Sequence, residues 1–191
     1  DTLVTPNLTS VIQEIVDQAS WCGGNSLNIL IEGQGLSGSS ERKTPAYEDG
    51  EGHTPQLVVV YDETTATGCV KGKFSYQVDS QKNNAEERND GYQSTGTELT
   101  FKSSSNAYIG VRFRKIALPQ GANILNAYLE FTANKNSSTG TASFNISGVN
   151  QNDPSSFKNY NRYLLRDKPK TASVSWSNIP QWLKNDVYQS P

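Results

Sequence analysis

Ala122-Asn123-Ile124-Leu125-Asn126-Ala127-Tyr128-Leu129-Glu130-Phe131-Thr132-Ala133 is the stretch on which the fold class turns, and its pattern reads as one long β-strand. Working outward, strand patterns recur at 73–78, 97–102, 107–114 and 141–149, and again at Ser173 to Trp176, separated by Gly, Asn and Ser clusters. That spacing predicts an all-β sandwich or jelly roll. Between 150 and 170 runs a connection rich in Tyr, Arg, Lys and Asn, and Pro180 and Trp182 follow the last strand pattern. The chain then ends at Val187-Tyr188-Gln189-Ser190-Pro191, where we expect neither a cap nor a closing strand.

The first third is different. Val11, Ile12, Ile15 and Val16 repeat with a helical period, and Ser10 with Gln13 forms a capping-box pattern, so a short amphipathic helix is expected before Gly23-Gly24. Leu27, Ile29 and Ile31 then alternate with Asn28, Leu30 and Glu32, which predicts a strand with one mainly polar face. A Gly/Ser loop is expected from Gly33 to about Arg42, and Gln56-Leu57-Val58-Val59-Val60-Tyr61 reads as a short buried strand. From Asp62 to Lys71 the pattern dissolves into a Thr/Gly linker.

Composition narrows the class. The 191 residues suit one globular unit, and 34% of them are apolar, enough for a core. Seventeen Lys and Arg stand against 19 Asp and Glu, so nothing marks a nucleic-acid partner or an anionic membrane. The longest apolar runs, such as Leu57 to Val60, are too short to span a bilayer, so no membrane insertion is expected. Ser, Thr and Asn number 22, 15 and 18, a polar-neutral balance that suits the turns and solvent faces of extracellular β-sandwiches. Methionine is absent and the sequence starts at Asp1, which leads us to expect a processed, secreted segment. In that compartment Cys22 and Cys69 are expected to form a disulfide, the alternative being two free thiols in a reducing one.

Gln120 to Phe131, Val174-Ser175-Trp176-Ser177-Asn178-Ile179-Pro180-Gln181-Trp182, Ala85-Glu86-Glu87 and Asp90-Gly91 together resemble a bacterial extracellular β-sandwich family. It is the jelly-roll, carbohydrate-binding-module-like type carrying the DNRLRE signature, found in large surface proteins and pilus-tip adhesins. In that family the tryptophan region leads into a helix, then Trp-x-x-Gly-Asn, an apolar strand and a final Pro-x-Leu-x-Val-x-Tyr strand. Here those pieces come first: Thr5-Pro6-Asn7-Leu8, Val11 to Val16, Trp21 to Asn25, Leu27 to Ile31, and Pro55 to Tyr61. Relative to the family the chain therefore resembles a circular permutation. Residues 1–62 match the last third, 63–71 are the joint, and 72–191 match the first two thirds. Writing Pro191 into Asp1 gives a segment similar to an unbroken family segment.

Either part alone would expose sheet edges and half a core, a drive to pair with the missing part. Three outcomes follow: closure within the chain, head-to-tail pairing between copies into a filament, or a window cut from a tandem-repeat protein. The resemblance implies an extracellular structural or adhesive repeat of a surface fibre, with identical subunits or neighbouring repeats as partners. The alternative is a non-catalytic carbohydrate-binding module whose partner is a polysaccharide.

The resemblance also implies a structural calcium near the first and last strands, with Glu86, Glu87 and Asp90 as ligands and Asp62 as a last-strand partner, their hard oxygens suiting Ca²⁺. A solvated acidic turn is the other reading. For sugar stacking, Trp182 is a candidate, as are Tyr160 and Tyr163 with Arg162 between them, whereas Trp21 and Trp176 are expected in the core. His53, the one histidine, lies in a Gly-rich turn with no nucleophile elbow, so no enzyme is expected. A Cys22 to Cys69 bridge would pin the joint to the helix end, contributing on the order of 3–4 kcal/mol. Between subunits it would lock neighbours covalently. Asn7-Leu8-Thr9, Asn136-Ser137-Ser138 and Asn145-Ile146-Ser147 match the glycosylation acceptor pattern and are given no role.

Overall fold

The structure, a computed structural model, describes residues 7–19, 21, 25–34, 41–47, 54–62, 71–88, 90–91, 93–94, 96–102, 107–137, 140–157 and 165–191. Among them lie one α-helix, α1 (Thr9–Val16), and strands β1 (Asn25–Gly33), β2 (Glu41–Pro45), β3 (Gln56–Asp62), β4 (Lys71–Gln77), β5 (Asn84–Glu87), β6 (Gln93–Ser94), β7 (Glu98–Lys102), β8 (Tyr108–Ile116), β9 (Asn123–Thr132), β10 (Ala142–Val149), β11 (Lys170–Ile179) and β12 (Val187–Gln189). A six-stranded sheet runs β11-β10-β1-β8-β5-β6, a four-stranded sheet runs β12-β9-β3-β4, and β2 pairs with β7 as a ribbon. All pairings are antiparallel, so the chain is all-β with one helix, as a two-sheet sandwich requires.

The decisive feature is where the first third goes. Strand β1 lies between β10 and β8, with Ile29 opposite both Gly148 and Val111. Strand β3 lies between β9 and β4, with Val59 opposite both Ala127 and Phe74. Residues 7–62 thus supply an inner strand to each sheet. Their apolar period explains the placement: Leu27, Ile29 and Ile31 from β1 and Leu57, Val59 and Tyr61 from β3 join one core with Phe113, Leu129, Phe144 and Ile146.

Helix α1 sends Val11, Ile12, Ile15 and Val16 into that core. It lies against β10, where the absent side chain of Gly148 makes room for Ile15. The expected capping box does not form. Instead Asn7 Oδ1 accepts from Thr9 N at 2.8 Å, and Gln13 turns away to strand β9. The ribbon bridges the two sheets: Thr44 Oγ1 donates to Thr132 O at 2.7 Å on one side, and Thr100 N donates to Glu86 Oε2 at 3.1 Å on the other. An aromatic cluster fills the core between them, with Phe101 edge-on to Phe131 and Phe144 at 5.1 and 5.6 Å.

Several expectations are corrected. The mainly polar face of strand β1 is not a solvent face: residues 150–157 and 165 cover the side that carries Asn28 and Leu30. Strands β2, β5 and β6 have no counterpart in the expected set, being short and polar. The chain does close with a strand, β12, whose Val187, Tyr188 and Gln189 lie opposite Thr132, Phe131 and Glu130.

Candidate assembly seam on strand β9

A β-strand carries a donor and an acceptor at every residue, and buried ones need partners. One edge of β9 pairs with β3. The other is filled piecewise from both ends of the chain. Gln13 Oε1 accepts from Ile124 N at 2.8 Å and Gln13 Nε2 donates to Ala122 O at 3.0 Å, a side-chain amide standing in for a strand residue. At Ala127, Asn7 Oδ1 accepts from the N–H at 3.2 Å and Leu8 N donates to the carbonyl at 2.7 Å. At Leu129, Ser190 Oγ accepts from the N–H and Ser190 N donates to the carbonyl, both at 2.7 Å. Strand β12 follows at Glu130 to Thr132, and beyond it Ala133 N donates to Asp186 O at 2.9 Å while Asn185 N donates to Ala133 O at 2.8 Å.

Residues 7–13 and 185–190, far apart in sequence, therefore lie in succession along one strand edge. Sequence reasoning placed Pro191 and Asp1 in continuity but missed Gln13 and Ser190 as the groups that seal the edge. The available signal was a hydroxyl before proline, a residue pair that ends a strand without demanding a further acceptor.

The far end of β12 is anchored by Tyr188, whose ring stacks on Trp182 at 4.9 Å and 10°, and whose Oη accepts from Leu183 N at 2.8 Å. Trp182 was expected to be a sugar-stacking residue. It is 0% exposed, between Phe101, Phe131, Trp176 and Tyr188, because the turn after Pro180 folds it inward; it is a core residue. Trp21 and Trp176 are buried as expected, Trp21 donating Nε1 to Leu118 O at 3.0 Å. Tyr160, Arg162, Tyr163, Cys22, Cys69 and His53 lie outside the described residues.

Of the four carboxylates expected to hold calcium, Glu86, Glu87 and Asp90 are not gathered into one metal-ligand set. Glu86 and Glu87 are neighbours on β5 and point to opposite faces, as strand geometry dictates. Glu86 faces the ribbon and accepts from Thr100 N. Glu87 is fully buried under the segment that follows β10: one oxygen accepts from Arg166 Nε at 2.8 Å and the other from Leu165 N at 2.7 Å. Asp90 is exposed beyond the end of β5, and Asp62 belongs to β3 in the other sheet, in register with Asn123. Among the described residues no three His, Cys, Asp or Glu side chains gather as a metal-ligand set.

Glu87 instead fixes a cover over the outer face of the six-stranded sheet. Phe157 and Leu165 pack with Leu30, Ala85, Tyr108 and Val149, and Gly110 leaves the space they occupy. Arg166 and Lys170 lie over the Tyr108 ring at 5.6 and 4.9 Å, and Tyr108 donates its hydroxyl to Glu32 at 2.6 Å. Burial first, and then the bond to Glu32, push the Tyr108 phenol above its ordinary value, so the hydroxyl stays a donor. Arg112 ties down the other end of the cover through Pro154 O at 2.7 Å, Asn83 Oδ1 at 3.0 Å and Ser26 Oγ at 2.7 Å.

Arg42 is a second residue that sequence reasoning passed over. It is 0% exposed, and its guanidinium donates to four carbonyls: Pro180 O at 2.9 Å, Glu41 O at 3.0 Å, Gly140 O at 2.7 Å and Ile179 O at 3.0 Å. Burial lowers its pKa below the ordinary guanidinium value. It clamps the ribbon to the end of β11, beside the aromatic cluster. Comparison with known proteins gives no match among family models, curated proteins or solved structures.

Proposed function

We propose that this chain is a non-enzymatic structural or adhesive repeat of an extracellular bacterial surface fibre, joined head to tail when residues 7–62 of one copy complete the sandwich of the next. One observation carries the reading. Residues 7–62 hold an inner strand of each sheet and a core helix, and only 63–70 connect them to the rest. Removing such a lobe leaves two open sheets, and a second copy of the same lobe fits them with the same contacts, which is the condition for exchange between copies. The DNRLRE-type resemblance supports the cell-surface setting. The carbohydrate-binding alternative is weakened by the burial of Trp182.

The test is the size of the full chain in solution, measured by light scattering over a range of concentrations with negative-stain imaging of the same samples. Mass that grows with concentration, filaments, and mixing of two differently labelled preparations after dilution and reconcentration are the expected results. A monomer at every concentration that never mixes its labels overturns the reading.

A further inference from the structure

A strand at the margin of a sheet carries backbone N–H and C=O groups that need a partner or a guard. Strand β6 is two residues long, β12 is three, and β4 starts Lys71-Gly72-Lys73. Strand β11, the other end of the six-stranded sheet, is ten residues long, and from Thr171 to Ile179 it holds no charge and no proline. The ladder decides which groups it offers. Gln34 N donates to Ser143 O at 3.2 Å, so that carbonyl points to the β1 side, and alternation turns Phe144 and Ile146 towards β11. Their partners Trp176 and Val174 are therefore bonded to β10, and Ser173, Ser175 and Ser177 turn their backbone groups outward. Among the described residues none of these three backbones has a partner on that side, and all three side chains are exposed. The open stretch is bounded at both ends. Glu14 Oε2 accepts from Ala172 N at 2.9 Å, and Asn178, at a φ of 57°, lies where the register with β10 shifts.

We propose that the β11 edge from Ser173 to Ser177 docks the same edge of a second copy of this chain, antiparallel and two-fold symmetric about Ser175. The edge itself selects that occupant. Laid antiparallel on its own copy about Ser175, Ser173-Val174-Ser175-Trp176-Ser177 sets Ser175 on Ser175 and Ser173 on Ser177, so the outward groups of each copy meet those of the other. Centring on Val174 or Trp176 instead brings only two of the three serines of each copy into facing positions. On the inner face the chosen register puts the half-buried Val174 of each copy beside Trp176 of the other, and neither strand brings a charge to the seam. The contact is isologous and closes at two copies. Five paired residues on each side make a small interface, so the pair forms reversibly as concentration rises. No residue of β11 belongs to 7–62, so this pairing does not depend on exchange of that lobe.

Disulfide trapping tests it in the full chain carrying Cys22→Ser and Cys69→Ser. Facing residues of paired strands hold their Cα atoms about 5.5 Å apart, within disulfide reach, whereas residues offset by four positions are about 14 Å apart and beyond it. Ser175→Cys is expected to give a covalent dimer on mild oxidation. Ser173→Cys alone and Ser177→Cys alone are each expected to give less than about a tenth of that yield, and an equal mixture of the two to give the mixed dimer. Adding Ser175→Pro to both members of the mixture removes an N–H that β10 does not use, and is expected to abolish the mixed dimer while circular dichroism shows the fold retained. Ser175→Lys, which sets two like charges face to face on an exposed surface, is the second blocking variant and is expected to act in the same direction. No dimer from Ser175→Cys, an equal yield from Ser173→Cys alone, no mixed dimer, or a mixed dimer that survives both blocking variants overturns the proposal.

Discussion

Replacing Gly148 with alanine probes how the first third of the chain is seated. Gly148 lies on the inner face of β10, opposite Ile29, under helix α1. A Cβ there would sit 2.4 Å from Ile15 Cδ1, 3.2 Å from Ile15 Cγ1 and 3.4 Å from Thr171 Cγ2. Ile15 is fully buried, so its terminal methyl has no free direction in which to retreat. Overpacking of this kind costs about 1–3 kcal/mol. With a urea slope of about 2 kcal/mol/M, the unfolding midpoint falls by about 0.5–1.5 M. Ile15→Val alone removes Cδ1 and costs about 0.5–1.5 kcal/mol. In the double variant the alanine methyl enters the space that Cδ1 vacated, so the two losses stop adding and a favourable coupling of about 1–2 kcal/mol appears. Circular dichroism along a urea series for the four proteins measures it. Additive losses, to within about 0.5 kcal/mol, would mean that helix α1 does not sit on Gly148 and that the core described above is wrong at this point.

Arg42→Ala leaves four carbonyls without their donor, the one on Ile179 in a buried bond, and opens the space of a fully buried side chain, so it is expected to cost about 3 kcal/mol in the same assay, with Arg42→Lys recovering part of it. A loss within about 0.5 kcal/mol, the range of ordinary surface changes, refutes the clamp. The hydrogen bond from Arg114 holds the Asp79 carboxyl below its ordinary 3.8. A lowered carboxyl stabilises the fold fully above 3.8 and loses that contribution as the pH falls through its folded value. Since both side chains are about two-fifths exposed, Asp79→Asn is expected to cost at most about 1 kcal/mol at neutral pH. The stability curves of variant and parent should then converge in acid, and a gap that widens there contradicts the pairing. Gly110→Ala brings a methyl to 2.8 Å from Phe157 Cζ and 2.9 Å from Leu165 Cδ2, so it is expected to loosen the cover over the six-stranded sheet. Faster hydrogen exchange and proteolysis confined to residues 150–169 are the signature, and unchanged protection there argues against the cover.

Much of the architecture is legible from side-chain period alone. The strand patterns around Ala122 to Ala133 and Gln56 to Tyr61, the helix at Val11 to Val16, and the burial of Trp21 and Trp176 all appear as expected, since each depends on a residue and its near neighbours in the chain. The candidate site was less legible. Glu86 and Glu87 look alike in sequence, yet adjacent strand residues face opposite ways and meet different partners, Thr100 and Arg166. Trp182 follows a proline in a polar stretch that reads as surface, and only the fold of the turn carries it into the aromatic cluster.

By itself the sequence determined the class of the protein: an all-β chain with one amphipathic helix. Only the tertiary structure decided which strands take the inner places of each sheet, which segment covers the second face of β1, and what seals the edge of β9. The reason is physical. A period of two or 3.6 reports which residues share a face, whereas a partner across a sheet is chosen by unpaired N–H and C=O groups wherever they lie in the chain. Gln13 reaches Ala122 across 109 residues and Asn7 reaches Ala127 across 120, distances at which no local pattern carries the information.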